Sequence, residues 1–196
     1  MPASTFDSIL AKGIRQGQIP ARTSSARLWY RGAADKVSTT PRNLMQREKD
    51  RLVNNVGIGN MYAFFYDPKT KAKLPYYDKF PLIFPIKKLS DGFLGINMHY
   101  LPYQLRARLM DALYSITNNK KYDESTKLRI SYDILNSASK FKFFKPTVKR
   151  YLNEKVKSRF LFINPTEWDI AIFLPVERFS KASKEVVFNA SRKMIN

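Results

Sequence analysis

The 196-residue chain has no cysteine. That excludes disulfide staples, thiolate zinc sites and cysteine nucleophiles together. Histidine is nearly as scarce. His99 is the single one, so multi-histidine metal centres and paired histidine acid–base chemistry are excluded as well. A lone histidine in "NMHYLP" reads as structural or solvent-facing. The sequence contains no G-x-S-x-G elbow, no G-x-x-x-x-G-K-[ST] loop and no G-x-G-x-x-G fingerprint, and "GIGN" at 57–60 is too short for either glycine loop. No apolar run approaches the ~20 residues of a membrane span. The opening "MPASTFDSILAKG" lacks the apolar block of an export signal. No cofactor, no membrane and no small-molecule substrate is expected.

Acidic residues are also in short supply. There are 16 against 35 Lys+Arg, a net charge of +19. A chain this basic repels itself and calls for a polyanion. The excess is uneven: residues 120–159 hold twelve basic and four acidic residues, whereas 160–179 hold one and three. Basic residues interleave with aromatic ones, as in Lys140-Phe141-Lys142-Phe143-Phe144-Lys145 and Lys149-Arg150-Tyr151. Lysine and arginine neutralise phosphates, and exposed rings stack on unpaired bases. The competing reading makes those rings core and the lysines their solvated rim. No base-reading helix or zinc module is present, so binding to DNA backbone or to DNA ends is expected. The candidate DNA-binding residues are Lys140, Lys142, Lys145, Lys149, Arg150, Lys155, Lys157 and Arg159, with Arg22, Arg27 and Arg31 near the N-terminus.

The pattern of elements predicts an α+β fold: a small twisted antiparallel sheet or partial barrel with a helical insertion, plus an extended N-terminal arm. Residues 1–59 read as a basic arm of low intrinsic order with short helices near 26–34 and 41–53. In "RLWYR" Trp29 reads as a plug into the body. Residues 60–196 read as one domain, with the insertion at about 102–158. Strands are expected at 61–66, at 82–86 between Pro81 and Pro85, and at 93–100. The clearest helix is 102–117, whose stripe is Leu105, Leu109, Ala112, Leu113 and Ile116, with Arg106 off it. Helices are also predicted over 124–139, from Val148, Leu152 and Val156 over 145–157, and over 183–195. Strands return at 160–163 and 169–174.

Metal-dependent cleavage needs clustered carboxylates. Asp67, Asp78, Asp91, Glu167 and Asp169 are the candidates, but they form no compact motif, and Asp67 and Asp91 sit in turns. A nuclease is the least supported of three readings.

The blocks "MYAFFYDPKTKAKLPYYDKFPLIFPI", "DGFLGINMHYLPYQLRARLMDALY", "KYDESTKLRISYDIL" and "PTEWDIAIFLPVERFSKAS" resemble the DNA end protector family of T-even-type contractile-tailed phages. The resemblance spans about 58–185. It implies a non-enzymatic virion protein that binds the ends of packaged double-stranded DNA and shields them from host exonuclease, passing through the host cytoplasm during assembly and after injection. It carries no residue-level site. The alternative is a structural neck, tail or baseplate component, whose arm and basic face bind other virion proteins.

Overall fold

The computed structural model describes residues 3–19, 23–117 and 142–196. The predicted helix over 124–139 lies outside them. Its organising element is a six-stranded sheet in the order β1-β7-β2-β4-β5-β6, with neighbours antiparallel. Its strands are β1 (Leu52–Val53), β2 (Met61–Ala63), β4 (Leu82–Leu89), β5 (Gly92–Asn97), β6 (Val148–Leu152) and β7 (Phe160–Ile163). A second ribbon pairs β3 (Tyr77–Asp78) with β8 (Phe179–Ser180). Among the described residues seven helices accompany them: α1 (Thr5–Arg15), α2 (Ser24–Asp35), α3 (Pro41–Arg47), α4 (Tyr103–Thr117), α5 (Phe144–Thr147), α6 (Trp168–Ala171) and α7 (Lys184–Ile195). The architecture is α+β.

Apolar runs too continuous to show which face is inside are resolved by the period-two alternation of strands. Met61, Ala63, Leu82, Phe84, Ile86, Leu161 and Ile163 face the helices and join one large core with Leu109, Leu113 and Trp168. Tyr62, Phe64, Ile83, Phe93, Tyr151 and Phe160 face the other way and form a second, aromatic core. That second face is covered because the sheet curls. Beyond β2 the chain pairs with the segment after β6: Lys157 N donates to Phe65 O at 2.8 Å, and Asp67 N donates to Lys155 O at 3.1 Å. The curl brings Phe64 within 4.9 Å of Phe160 and 5.4 Å of Tyr151, ring centre to ring centre, both edge-on. The result is a partial barrel that does not close.

A helix, a strand and a fence differ from the sequence reading. Val148, Leu152 and Val156 have helical spacing, yet 148–152 is a strand paired with β5 throughout. Pro146 is followed by β-branched residues, and Tyr151 finds a buried place in the aromatic core only as strand. Residues 169–174, expected as strand, begin inside α6 and end in irregular chain. Pro85 does not end β4; a bulge between Pro85 and Lys87 absorbs it and the strand runs on to Leu89.

The N-terminal helices pack onto the body of the fold. Phe6, Ile9, Ala26, Tyr30, Ala34 and Leu44 enter the main core. Buried Glu48 caps α1, accepting from Ser4 Oγ and from Thr5 N at 2.6 Å. Arg51 then ties Glu48 to Glu167 and Asp7. Gly13 has a packing role: a Cβ there would lie 2.4 Å from the Tyr30 hydroxyl. Trp29 packs against the core and donates to Gln16 Oε1 at 2.9 Å.

Candidate nucleic-acid interface

At one end of the curl, four segments surround a cavity of about 680 Å³. Asn54, Asn55 and Val56 follow β1. Lys88, Leu89, Gly92 and Phe93 come from the β4–β5 hairpin. Asn153 and Val156 follow β6. Ser158, Arg159 and Phe160 lead into β7. The hairpin can lie against β6 because residue 92 is glycine, where a Cβ would come within 1.9 Å of Tyr151 O. Ser158 fixes the opposite wall, accepting from Phe65 N at 2.9 Å and donating to Arg159 O at 2.8 Å. Phe93 and Phe160 belong to both this wall and the aromatic core beneath it.

None of the residues lining this groove is acidic. Exposed Arg159 is oriented by neutral groups, donating from Nε to Asn54 Oδ1 at 3.2 Å and from Nη2 to Leu52 O. Lys88 is also exposed. Neither has a carboxylate partner among the described residues. A cation held by amides and carbonyls keeps its full charge for an incoming anion.

Other candidate cations are committed elsewhere. Arg27 and Arg31 both pair with Asp169, and Arg27 also with Asp111. They fasten α2 to α6. Arg150 pairs with Asp91 at 2.7 Å across the β5–β6 edge. Lys155 is half-buried, 3.6 Å from Glu154. Lys157 is exposed but does not line the groove, and its charge acts on Asp67; Lys142 and Lys145 are exposed before β6. The five residues of β6 separate those two lysines from the groove by about 17 Å of extended chain. The described basic residues of 142–159 are therefore spread along β6 and the chain on either side of it instead of gathered on one face. Lys140 and Arg22 lie outside the described residues. Lys88 and the three asparagines that line the groove were not among the sequence candidates; the only hint was Lys87-Lys88 just ahead of the Asp91-Gly92 turn.

Lys149 has a different fate. Its Nζ sits 4.1 Å from the centre of the Tyr100 ring, and burial pushes its pKa down to about 8. A lysine whose folded pKa is depressed costs stability wherever it is charged. The cost is whole below pH 8 and fades as pH rises toward its ordinary value of about 10.4. Lys149→Met is expected to stabilise the fold by roughly 1 kcal/mol near neutral pH, with the gain shrinking above pH 8. Denaturant unfolding across that range measures it, and a destabilised variant would refute it.

The carboxylates considered for metal chemistry are dispersed. Asp67 holds Lys71, and Asp91 holds Arg150. Glu167 holds Arg51, and Asp169 holds the two arginines of α2. Asp78 is buried, accepting from Phe80 N and Asn97 Nδ2 and lying 2.9 Å from Nδ1 of buried His99. Among the described residues no three His, Asp or Glu side chains converge as metal ligands.

No curated protein and no solved structure matches the chain. A family match covers it from early in α2 to its last residue: the family described as Phage T4 terminal DNA protecting protein matches residues 25–196. The groove, the sheet that shapes it and both of its unpaired cations lie inside that span. The chain therefore belongs to the phage T4 terminal DNA protecting protein family.

Proposed function

We propose that this phage protein binds the ends of packaged double-stranded DNA through the groove at the open end of its curled sheet. It shields them there from host exonuclease, without catalysing any reaction itself. The observation that carries this reading is the pair Lys88 and Arg159, two exposed cations with no described carboxylate partner in a groove none of whose lining residues is acidic. The hairpin of β4 and β5 supplies Lys88 to that rim. The family's DNA-protecting description and the net charge of +19 support it. The protein then travels with the DNA as a virion component.

The test compares a linear blunt duplex with a dumbbell of the same sequence whose ends are closed by hairpins. The linear form is expected to bind and to resist exonuclease digestion when the protein is present. Its affinity should fall by about 0.9 log units per log unit of salt for each phosphate neutralised. Equal affinity for the dumbbell, or digestion at an unchanged rate, would overturn the reading.

A further inference from the structure

We propose that the groove takes one unpaired terminal nucleotide, its phosphate on Arg159 and Lys88 and its base against the apolar patch. This rests on the end-binding reading and deepens it. A cavity of about 680 Å³ falls in the ~300–1,000 Å³ range of small-ligand sites. That is the size of a site for one nucleotide rather than for a length of duplex. The lining is also wrong for backbone alone. Half-buried Val56, Leu89 and Val156 give the groove an apolar patch, with Phe93 and Phe160 buried beneath it; a row of phosphates would leave that patch unused and a base face would cover it.

The polar groups have the complementary arrangement. Arg159 carries five N–H donors. Two are occupied by Asn54 Oδ1 and Leu52 O, which fix the guanidinium plane and leave three for phosphate oxygens. Asn55 and Asn153 line the same cavity, and neither side-chain amide has a hydrogen bond among the described residues. Their donors and acceptors match base edges. A strand terminus is where DNA meets these demands most easily, because its last base stacks on one side only and its pair opens at least cost.

The experiment uses the full chain and three short duplexes: one with terminal T·A pairs, one with terminal T·T mismatches, and the closed dumbbell. The mismatched ends, already open, are expected to bind about tenfold more tightly than the paired ones. In that complex their terminal thymines should be protected from permanganate, which oxidises unstacked thymine. Arg159→Ala should remove the preference, and Lys145→Ala, remote from the groove, should keep it. Equal affinity for paired and mismatched ends, or unprotected thymines, with the dumbbell still unbound would overturn the nucleotide pocket and leave end binding standing. A bound dumbbell would instead overturn end binding itself.

Discussion

Reversing both groove cations, Lys88→Glu with Arg159→Glu, is expected to weaken binding to linear duplex ends by about a hundredfold or more. Like charges brought against phosphate cost several kcal/mol, and each ~1.4 kcal/mol is a factor of ten. The same charge change at Lys142 and Lys145 is the control. These lysines are equally exposed but lie at the far end of β6, so their reversal alters only the general field and should weaken binding less than about tenfold at physiological salt. Fluorescence anisotropy with a labelled duplex reads both. The salt slope of the groove variant should fall by about two phosphates' worth. Folding should be little changed: Lys88 is a surface side chain, and loss of the Arg159 bonds to Asn54 and Leu52 costs about 1 kcal/mol. Equal weakening by the two double variants would remove the groove from the binding surface.

Charge alone could not have separated these pairs. In the sequence, residues 140–159 look like one basic patch because helical spacing would gather their cations on a face. As a strand, 148–152 sends Lys149 toward the Tyr100 ring and Arg150 outward to Asp91. What decides between helix and strand there is Tyr151, which fits into a ring cluster built from residues 62, 64, 66, 93 and 160. No local window contains that information. The same holds for Arg27 and Arg31, whose partner Asp169 is more than a hundred positions away.

Much else was legible because it is local. Thr40 caps α3 with Pro41 in its first turn, and Ser183 caps α7. The runs expected at 61–66, 82–86, 93–100 and 160–163 hold strands because bulky and β-branched residues alternate between two buried faces, although the first ends at Ala63 and the third at Asn97, where a 3-10 turn takes over. The groove's asparagines gave no signal, since exposed asparagine is equally at home in any turn.

Arg106 is the plainest case of a long-range demand that sequence conceals, and its replacement carries the largest stability effect expected here. The stripe of α4 places it off the apolar face, yet it is fully buried. Its Nε donates to Leu101 O at 2.8 Å, Nη1 to Ile172 O at 2.9 Å and Nη2 to His99 O at 3.3 Å. Nη2 also lies 3.6 Å from Glu177 Oε2, while the Tyr103 hydroxyl donates to Glu177 Oε1 at 2.7 Å. The guanidinium is packed over the Tyr103 ring, 4.5 Å from its centre. One side chain thus joins α4, the end of α6 and the segment leading to β8. Arg106→Met removes the charge but strands buried Glu177 and three carbonyls, so a loss of about 3–5 kcal/mol is expected in urea unfolding. The pH dependence identifies the cause. Burial pushes the Glu177 carboxyl up, but Arg106, His99 and Tyr103 outweigh it and hold its pKa below the ordinary value. Its contribution is therefore whole above about pH 4.3 and is lost as pH falls through the lower folded value. Without Arg106 the balance reverses: burial raises the carboxyl, and the penalty is whole at neutral pH and fades in acid. The stability gap between wild type and variant should accordingly be widest near pH 7 and narrow toward pH 4. Adding Glu177→Gln to Arg106→Met should recover part of the loss. A gap that stays constant with pH, or a double variant no more stable than Arg106→Met alone, would show that the carbonyl bonds and not the ion pair carry the effect.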